Sequence, residues 1–276
     1  MRSQWECLLE NLGCWRGSFT RLSITGEMLE DIPSETSFEL KEDNCTMRQV
    51  VRRFYDDQPQ DLVLEYRTLN KSTTFFENGA FSQGSLQFAP HAEFGAEMGL
   101  IYGDRRLRII PIYDPLGAFS RLTVIRESRN DSLPKILPSP ILQPQELLGK
   151  WQGEAIKIDA DWLEPEVLPS MTEWKQDGDR LIMTEQIGNQ QITNITNPDA
   201  INSQILKFKQ DDLVMQTLFL PDRATITCPI AIAPRQPIRL SISWLLEPNV
   251  NQKMIRTYDV KGAWTSLILV TERKAL

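Results

Sequence analysis

The chain states one pattern twice, and this duplication constrains its fold more than any other feature. Near its start it reads Leu12-Gly13-Cys14-Trp15-Arg16-Gly17, and past its middle Leu148-Gly149-Lys150-Trp151-Gln152-Gly153. Each half closes on a second matching block, Tyr113-Asp114-Pro115-Leu116-Gly117-Ala118-Phe119 and Tyr258-Asp259-Val260-Lys261-Gly262-Ala263-Trp264. Self-similarity at a fixed offset marks two copies of one structural unit. Each copy spans about 130 residues, the usual size of an independent domain core. The expected organisation is a first unit over 1–130, a proline-rich linker over 131–145 and a second unit over 146–276.

Within each copy, short runs rich in β-branched and aromatic residues alternate with turn residues. Nine strand-length runs fall between 15 and 127, and ten between 151 and 273. Asn78-Gly79, Gly103-Asp104 and Asp177-Gly178-Asp179 carry hairpin punctuation. Strands this short and regular predict a barrel or sandwich rather than βαβ units. One helix is expected at the start. Ser3-Gln4-Trp5-Glu6 is a capping-box pattern, and Trp5, Leu8, Leu9 and Leu12 follow at helical spacing. Such a helix would close the bottom of the first barrel. Pro134, Pro138, Pro140 and Pro144 make the junction a stiff spacer, and Asp159 to Pro169, with Trp162, is expected to loop over the second barrel.

The net charge of −7 over 276 residues disfavours nucleic acid and anionic membrane surfaces, which require a basic face. No apolar run approaches the length of a bilayer span. Met1 to Leu12 holds Glu6 and Glu10 and no apolar leader segment. These features lead to the expectation of a cytoplasmic protein with a small apolar partner and room for a protein partner. Cys7, Cys14, Cys45 and Cys228 share no repeated position and form no Cys-x-x-Cys, so reduced thiols are expected. His91 is the only histidine, which excludes a His-rich zinc site. Neither a phosphate-cradling loop, nor a dinucleotide fingerprint, nor a nucleophile elbow is present. No catalytic residue and no metal ligand is expected, and the residues favour binding over catalysis.

In a small closed barrel the first strand starts at a crowded corner. Glycine lets the backbone bend there, and an inward tryptophan fills the closed end with its indole N–H on an acceptor. Gly13, Trp15, Gly149 and Trp151 fit these structural roles. Gly-x-Trp opening an all-β unit of this length resembles the lipocalin-like (calycin) barrels. The resemblance implies two tandem antiparallel β-barrels, each with a cation from its last strand across the indole. That cation is expected to be Arg126 in the first half; its aligned residue is Thr271, so Arg273 is expected to serve in the second. The stretches Phe75-Phe76-Glu77-Asn78-Gly79-Ala80-Phe81-Ser82-Gln83-Gly84-Ser85, Leu220-Pro221-Asp222-Arg223-Ala224 with Cys228-Pro229, and Trp244-Leu245-Leu246-Glu247-Pro248-Asn249 extend the likeness. Together they resemble an uncharacterised two-barrel calycin family of cyanobacteria and chloroplasts, distantly similar to the S- and T-type phycobilin lyases. The match runs over essentially the whole chain and implies fold and lineage rather than chemistry.

The one feature pointing into a lumen is a strand with three arginines. Alternation places Arg48, Val50, Arg52 and Phe54 on one face, and Met47, Gln49, Val51, Arg53 and Tyr55 on the other. Whichever face turns inward carries an arginine. Arg106 and Arg108 alternate likewise against Leu107, Ile109 and Tyr113. An inward arginine is costly unless paired. It captures a ligand carboxylate, or it closes an internal ion pair with a residue such as Glu39 or Glu65. The expected ligand site is therefore Arg48, Arg52, Arg53, Arg108 and Tyr113. A bilin or another apolar carboxylate such as a fatty acid is the ligand this reading accommodates. Three functions remain open: non-catalytic binding of a small apolar or amphipathic ligand, lyase-like delivery of a bilin to a protein cysteine, and a packed two-barrel interaction or assembly scaffold. A bilin reacting at Cys228 is the sharp form of the second. The halves are expected to have diverged, with an accessible pocket in one and a more filled barrel in the other.

Overall fold

The computed structural model describes residues 2–55, 58–129, 140–161, 164–196, 204–210 and 212–275. Trp162, Pro134 and Pro138, with most of the linker, lie outside the described residues. Nine strands form the first sheet: β1 (Gly13–Leu22), β2 (Met28–Leu40), β3 (Met47–Tyr55), β4 (Gln58–Tyr66), β5 (Thr73–Phe75), β6 (Phe81–Gly84), β7 (Phe94–Tyr102), β8 (Arg105–Tyr113) and β9 (Phe119–Ser128). Ten form the second: β10 (Gly149–Asp159), β11 (Glu166–Asp177), β12 (Arg180–Ile187), β13 (Gln190–Ile195), β14 (Ile205–Gln210), β15 (Leu213–Leu220), β16 (Ala224–Pro229), β17 (Ile238–Glu247), β18 (Val250–Tyr258) and β19 (Trp264–Lys274). The protein is all-β, with two antiparallel up-and-down sheets in tandem. In each, the first strand pairs with the last, β1 with β9 and β10 with β19. The order β4-β3-β2-β1-β9-β8-β7-β6-β5 leaves the first barrel unjoined along a seam between β4 and β5, and the second has its seam between β13 and β14.

Each unit opens on a short helix: α1 (Gln4–Leu8) and α2 (Pro144–Leu147). The capping box expected at Ser3 and Glu6 is formed in α1. Its apolar face packs Cys7 and Leu8 under Trp15. The same device recurs in α2, where Gln143 and Glu146 make a capping box and Pro144 occupies the first turn. β2 begins at Met28, seven residues before the strand-length run expected over 35–41. Met28 to Ser34 is acidic and contains Pro33, so it carries little intrinsic β preference; pairing with β1 makes it a strand. Likewise β11 takes up the end of the expected 159–169 loop.

The largest apolar cluster does not fill either barrel. It lies between them, built from the outward faces of β7, β8 and β9 (Met98, Leu100, Ile109, Leu122) and of β16, β17, β18 and β19 (Ile226, Leu240, Ile242, Met254, Leu267). Burial of side chains of this size contributes about 1.5–3 kcal/mol each, so the two units are held as one body.

The repeated closing blocks explain how they dock. In each, an aspartate side chain caps the turn: Asp114 accepts from the Leu116 and Ala118 amides, and Asp259 from those of Lys261 and Ala263. Each turn then reaches across to the other unit. Phe119 N–H donates to Ile230 O and Ile232 N–H to Gly117 O; symmetrically, Trp264 N–H donates to Leu86 O and Phe88 N–H to Gly262 O. The contact is isologous, like that of a two-fold homodimer.

Candidate functional site

The closed ends are built alike. Gly13 and Gly149 take φ of +107° and +112°, a region that costs other residues strain. Two residues later, Trp15 and Trp151 point inward and are fully buried. Each indole N–H donates to the carbonyl four residues back, Asn11 at 2.9 Å and Leu147 at 2.7 Å. Gly17 and Gly153 permit the close approach that follows. A Cβ on either would fall within 2 Å of the Arg126 or Thr271 carbonyl oxygen of the last strand.

The cations across these indoles are not Arg126 and Arg273. Arg106 and Arg129 stack on Trp15 at 4.3 and 4.5 Å, and Lys274 on Trp151 at 5.2 Å. The reason is register. Arg16 pairs with Ser128, which leaves Trp15 facing the residue after β9, and Trp151 pairs directly with Lys274. Arg273 is on the exposed outer face. Arg126 also faces outward, where it donates to Ser18, Thr20 and Asp31 and reaches Asp222 of the second unit at 3.4 Å.

The three-arginine strand divides as parity requires. Arg48 and Arg52 are on the outer face of β3, paired with Glu39 and Glu65 and with Asp61 respectively. They are surface ion pairs, not ligand-binding residues. Arg53 is on the inner face, 4.3 Å over the Phe19 ring. Tyr113 is not in the lumen. It shares the outward face of β8 with Leu107 and Ile109, and its hydroxyl donates to Pro229 O of the second unit at 2.7 Å.

The core of the first lumen is an ion-pair network that spacing did not single out as a unit. Arg106 Nε donates to Glu127 Oε2 at 2.7 Å; Arg108 donates to Glu127 Oε1 at 2.9 Å and to Glu97 Oε1 at 2.7 Å. Burial pushes the Glu127 carboxyl up, but Arg106 and Arg108 outweigh it and hold the group at about 2. Glu127 adjoins Arg126 in sequence and was legible only as its inward-facing neighbour. Among the described residues the mid-lumen thus holds three guanidinium groups (Arg53, Arg106, Arg108) against two carboxylates, Glu97 and Glu127. A cavity of about 390 Å³ opens between β4 and β5, with Phe38, Gln49, Leu64, Tyr66, Phe81 and Arg108 in its wall.

The second lumen is narrower and balanced. Glu185 accepts from Lys253 Nζ at 2.5 Å and from Arg239. Glu272 accepts from Ser170 and Thr172, and Lys253 also donates to Thr172. Burial pushes Glu185 up and the two cations hold it at about 2. Between these groups and Trp151 only about 40 Å³ remains, close to the room for a water. Beyond an apolar layer of Ala155, Ile255, Ile268 and Val270, the far end carries a depression of about 510 Å³ walled by Lys157, Gln190 and Thr257.

Cys228 is not the reactive centre that the bilin-delivery reading requires. That residue is fully buried between the units, and burial pushes its thiol up to about 12, whereas a reactive thiol is exposed and acidic. Among the described residues no group of His, Cys, Asp and Glu could hold a metal ion, and no helix is long and apolar enough to cross a membrane.

Residues 1–132 match the family model described as domain of unknown function (DUF3598), N-terminal. Residues 138–275 match the model described as biogenesis factor required for ATP synthase 1, C-terminal domain. A solved DUF3598 protein from Nostoc punctiforme is 38% identical, with a TM-score of 0.92 over 100% of both chains. The S-type phycobiliprotein lyase from Guillardia theta matches at 10% identity and a TM-score of 0.34, over 48% of this chain and 90% of its own; a likeness that low carries no argument about chemistry. No curated protein matches the chain.

Proposed function

The chain belongs to the DUF3598 family, and we propose that it is a non-catalytic assembly factor that binds a protein partner during ATP synthase biogenesis. One observation carries this reading: the match of residues 138–275 to a domain described as that of a biogenesis factor required for ATP synthase. Three structural features support it. The second lumen, in the matching half, is filled by its own ion pairs. Its cysteine is buried and unreactive. The two units dock through a large apolar core, which presents their remaining surface as one rigid face. Fold alone would not assign this role.

The test uses purified chain and individually purified ATP synthase subunits, with complex formation followed by light scattering on size exclusion. A stoichiometric complex with at least one subunit is expected, together with less assembled ATP synthase on native gels of cells depleted of the chain. No complex with any subunit, and unchanged assembly on depletion, would overturn the reading. The small-ligand reading retains one specific observation, the cavity of the first unit, which the assembly role does not use.

A further inference from the structure

We propose that the first lumen is a binding site for a small apolar molecule carrying a single carboxylate. The acid group rests against Arg53 and Arg106, and the apolar body occupies the cavity between β4 and β5. The proposal starts from a charge that the network leaves over. Arg108 is fully used by Glu97 and Glu127, and Arg106 shares Glu127. Arg53 stacks on Phe19 and makes no ion pair among the described residues. One positive charge is therefore left over on the inner face, on a half-buried side chain whose Nε is shut off from water, where it is costly.

The second observation is a group of buried polar atoms without hydrogen-bond partners on that same inner face. They are Arg53 Nε, Arg106 Nη2, Ser34 Oγ and Thr36 Oγ1. Arg106 and Thr36 are 1% and 0% exposed, so bulk water does not serve them. The four are neighbours by register. Ser34 pairs with Arg53 across β2 and β3, and Thr36 pairs with Trp15, on which Arg106 stacks. All four can donate a hydrogen bond, so together they call for an acceptor. Among the described residues the unpartnered atoms of the second lumen are Glu272 Oε2 and the Asn194 amide, around a network of two cations and two carboxylates. Among the described residues the first lumen calls for an anion and the second does not.

The same wall leads from these atoms to the cavity. Phe38, Thr36 and Ser34 follow one another along the inner face of β2, and Phe38 both lines the cavity and lies 5.4 Å under Arg106. Leu64, Tyr66, Phe75 and Phe81 supply apolar surface. Glu65 at the rim is tied to Lys41 at 2.6 Å, so it does not repel an incoming acid. The charge decides the ligand class: one carboxylate balances the lumen, a dianion overshoots, and an alcohol leaves the cation unmet. Size decides further. About 390 Å³ is near the lower end of the roughly 300–1,000 Å³ of small-ligand sites. It suits a single-chain acid better than a tetrapyrrole with two propionates.

Calorimetric titration of the whole chain with decanoate, decanol and decylamine tests this without any partner protein, so its outcome is independent of the assembly role. Decanoate is expected to bind at one site at least tenfold tighter than decanol, the scale of one charge-assisted hydrogen bond, and decylamine not at all. Arg53→Ala should erase the preference for the acid while sparing decanol. Gln49→Trp, which fills the cavity, should remove both. Arg52→Ala, on the outer face, should change nothing. Thermal melting verifies that each variant is folded, and if Gln49→Trp is not, Arg53→Ala against Arg52→Ala still decides. Absence of saturable decanoate binding, equal affinity for acid and alcohol, or equal losses in the Arg52 and Arg53 variants would overturn the proposal.

Discussion

The two lumens descend from one pattern and solve the same problem differently. Both seat a tryptophan at the closed end and both bury charge above it. In the second, Lys253 and Arg239 meet Glu185, Glu272 is held by hydroxyls, and about 40 Å³ remains. In the first, three arginines meet two carboxylates and about 390 Å³ stays open beside them. The contrast teaches that duplication preserves the frame of a barrel while leaving its contents free. The closed ends and the docking turns are kept in both halves, and the lumen above them is where they part.

Five measurements would break or sharpen this comparison. The largest effect is expected at the part the units share. Trp15→Ala and Trp151→Ala should each cost about 3–5 kcal/mol in urea unfolding. Trp15→Ala should be the worse by about 1 kcal/mol, because Trp15 carries two stacked cations and Trp151 one. Equal costs would mean that the stacking contributes nothing.

Next come the buried carboxylates. Glu127→Gln and Glu185→Gln each leave buried cations short of a partner, which costs about 3–5 kcal/mol. In the unmodified protein the same groups set the acid limit. Both are held at about 2, below their ordinary 4.5. Their stabilisation is therefore fully present above about pH 4.5 and is lost as pH falls toward 2, on the order of 3 kcal/mol for each. A stability curve flat between pH 5 and pH 3 would contradict both networks.

A smaller effect separates the lumens by sign. Thr36→Val removes a buried hydroxyl that has no partner and should leave stability unchanged or raise it by up to about 1 kcal/mol. Thr172→Val removes a hydroxyl bonded to Lys253 and Glu272 and should cost about 1–3 kcal/mol. Equal losses at both sites would show that the first lumen satisfies its polar groups as fully as the second. The smallest change is expected at the outer face. Arg48→Ala and Arg52→Ala should each shift stability by less than about 1 kcal/mol, as exposed ion pairs do.

Much of this was legible in the chain itself. The repeated Gly-x-Trp blocks and the spacing of short strands were enough for two tandem all-β units, for nine and ten strands, and for the capped helix under Trp15. These are local features: turn chemistry, capping and period-two alternation act over a few residues, and neighbouring strands pair in order along a meander. Alternation also sorted Arg48 and Arg52 from Arg53. It could not say which set turned inward, because parity relates residues to one another and not to the core. Hydrophobicity misled in β8 and β9, since the outward faces of β7 to β9 and of β16 to β19 are buried against each other and carry the larger apolar cluster. That is why Tyr113, on an apolar face, belongs to the contact between units and why Arg126 reaches Asp222 rather than Trp15. The positions of Arg129 and Lys274 depended on where β1 and β10 meet the last strands, a register set by contacts more than a hundred residues apart. Sequence by itself determined the units, their strands and the shared closed ends. Only the tertiary structure decided which face is inside, which arginines meet carboxylates and which lumen remains open, because each depends on how distant strands and the two barrels pack.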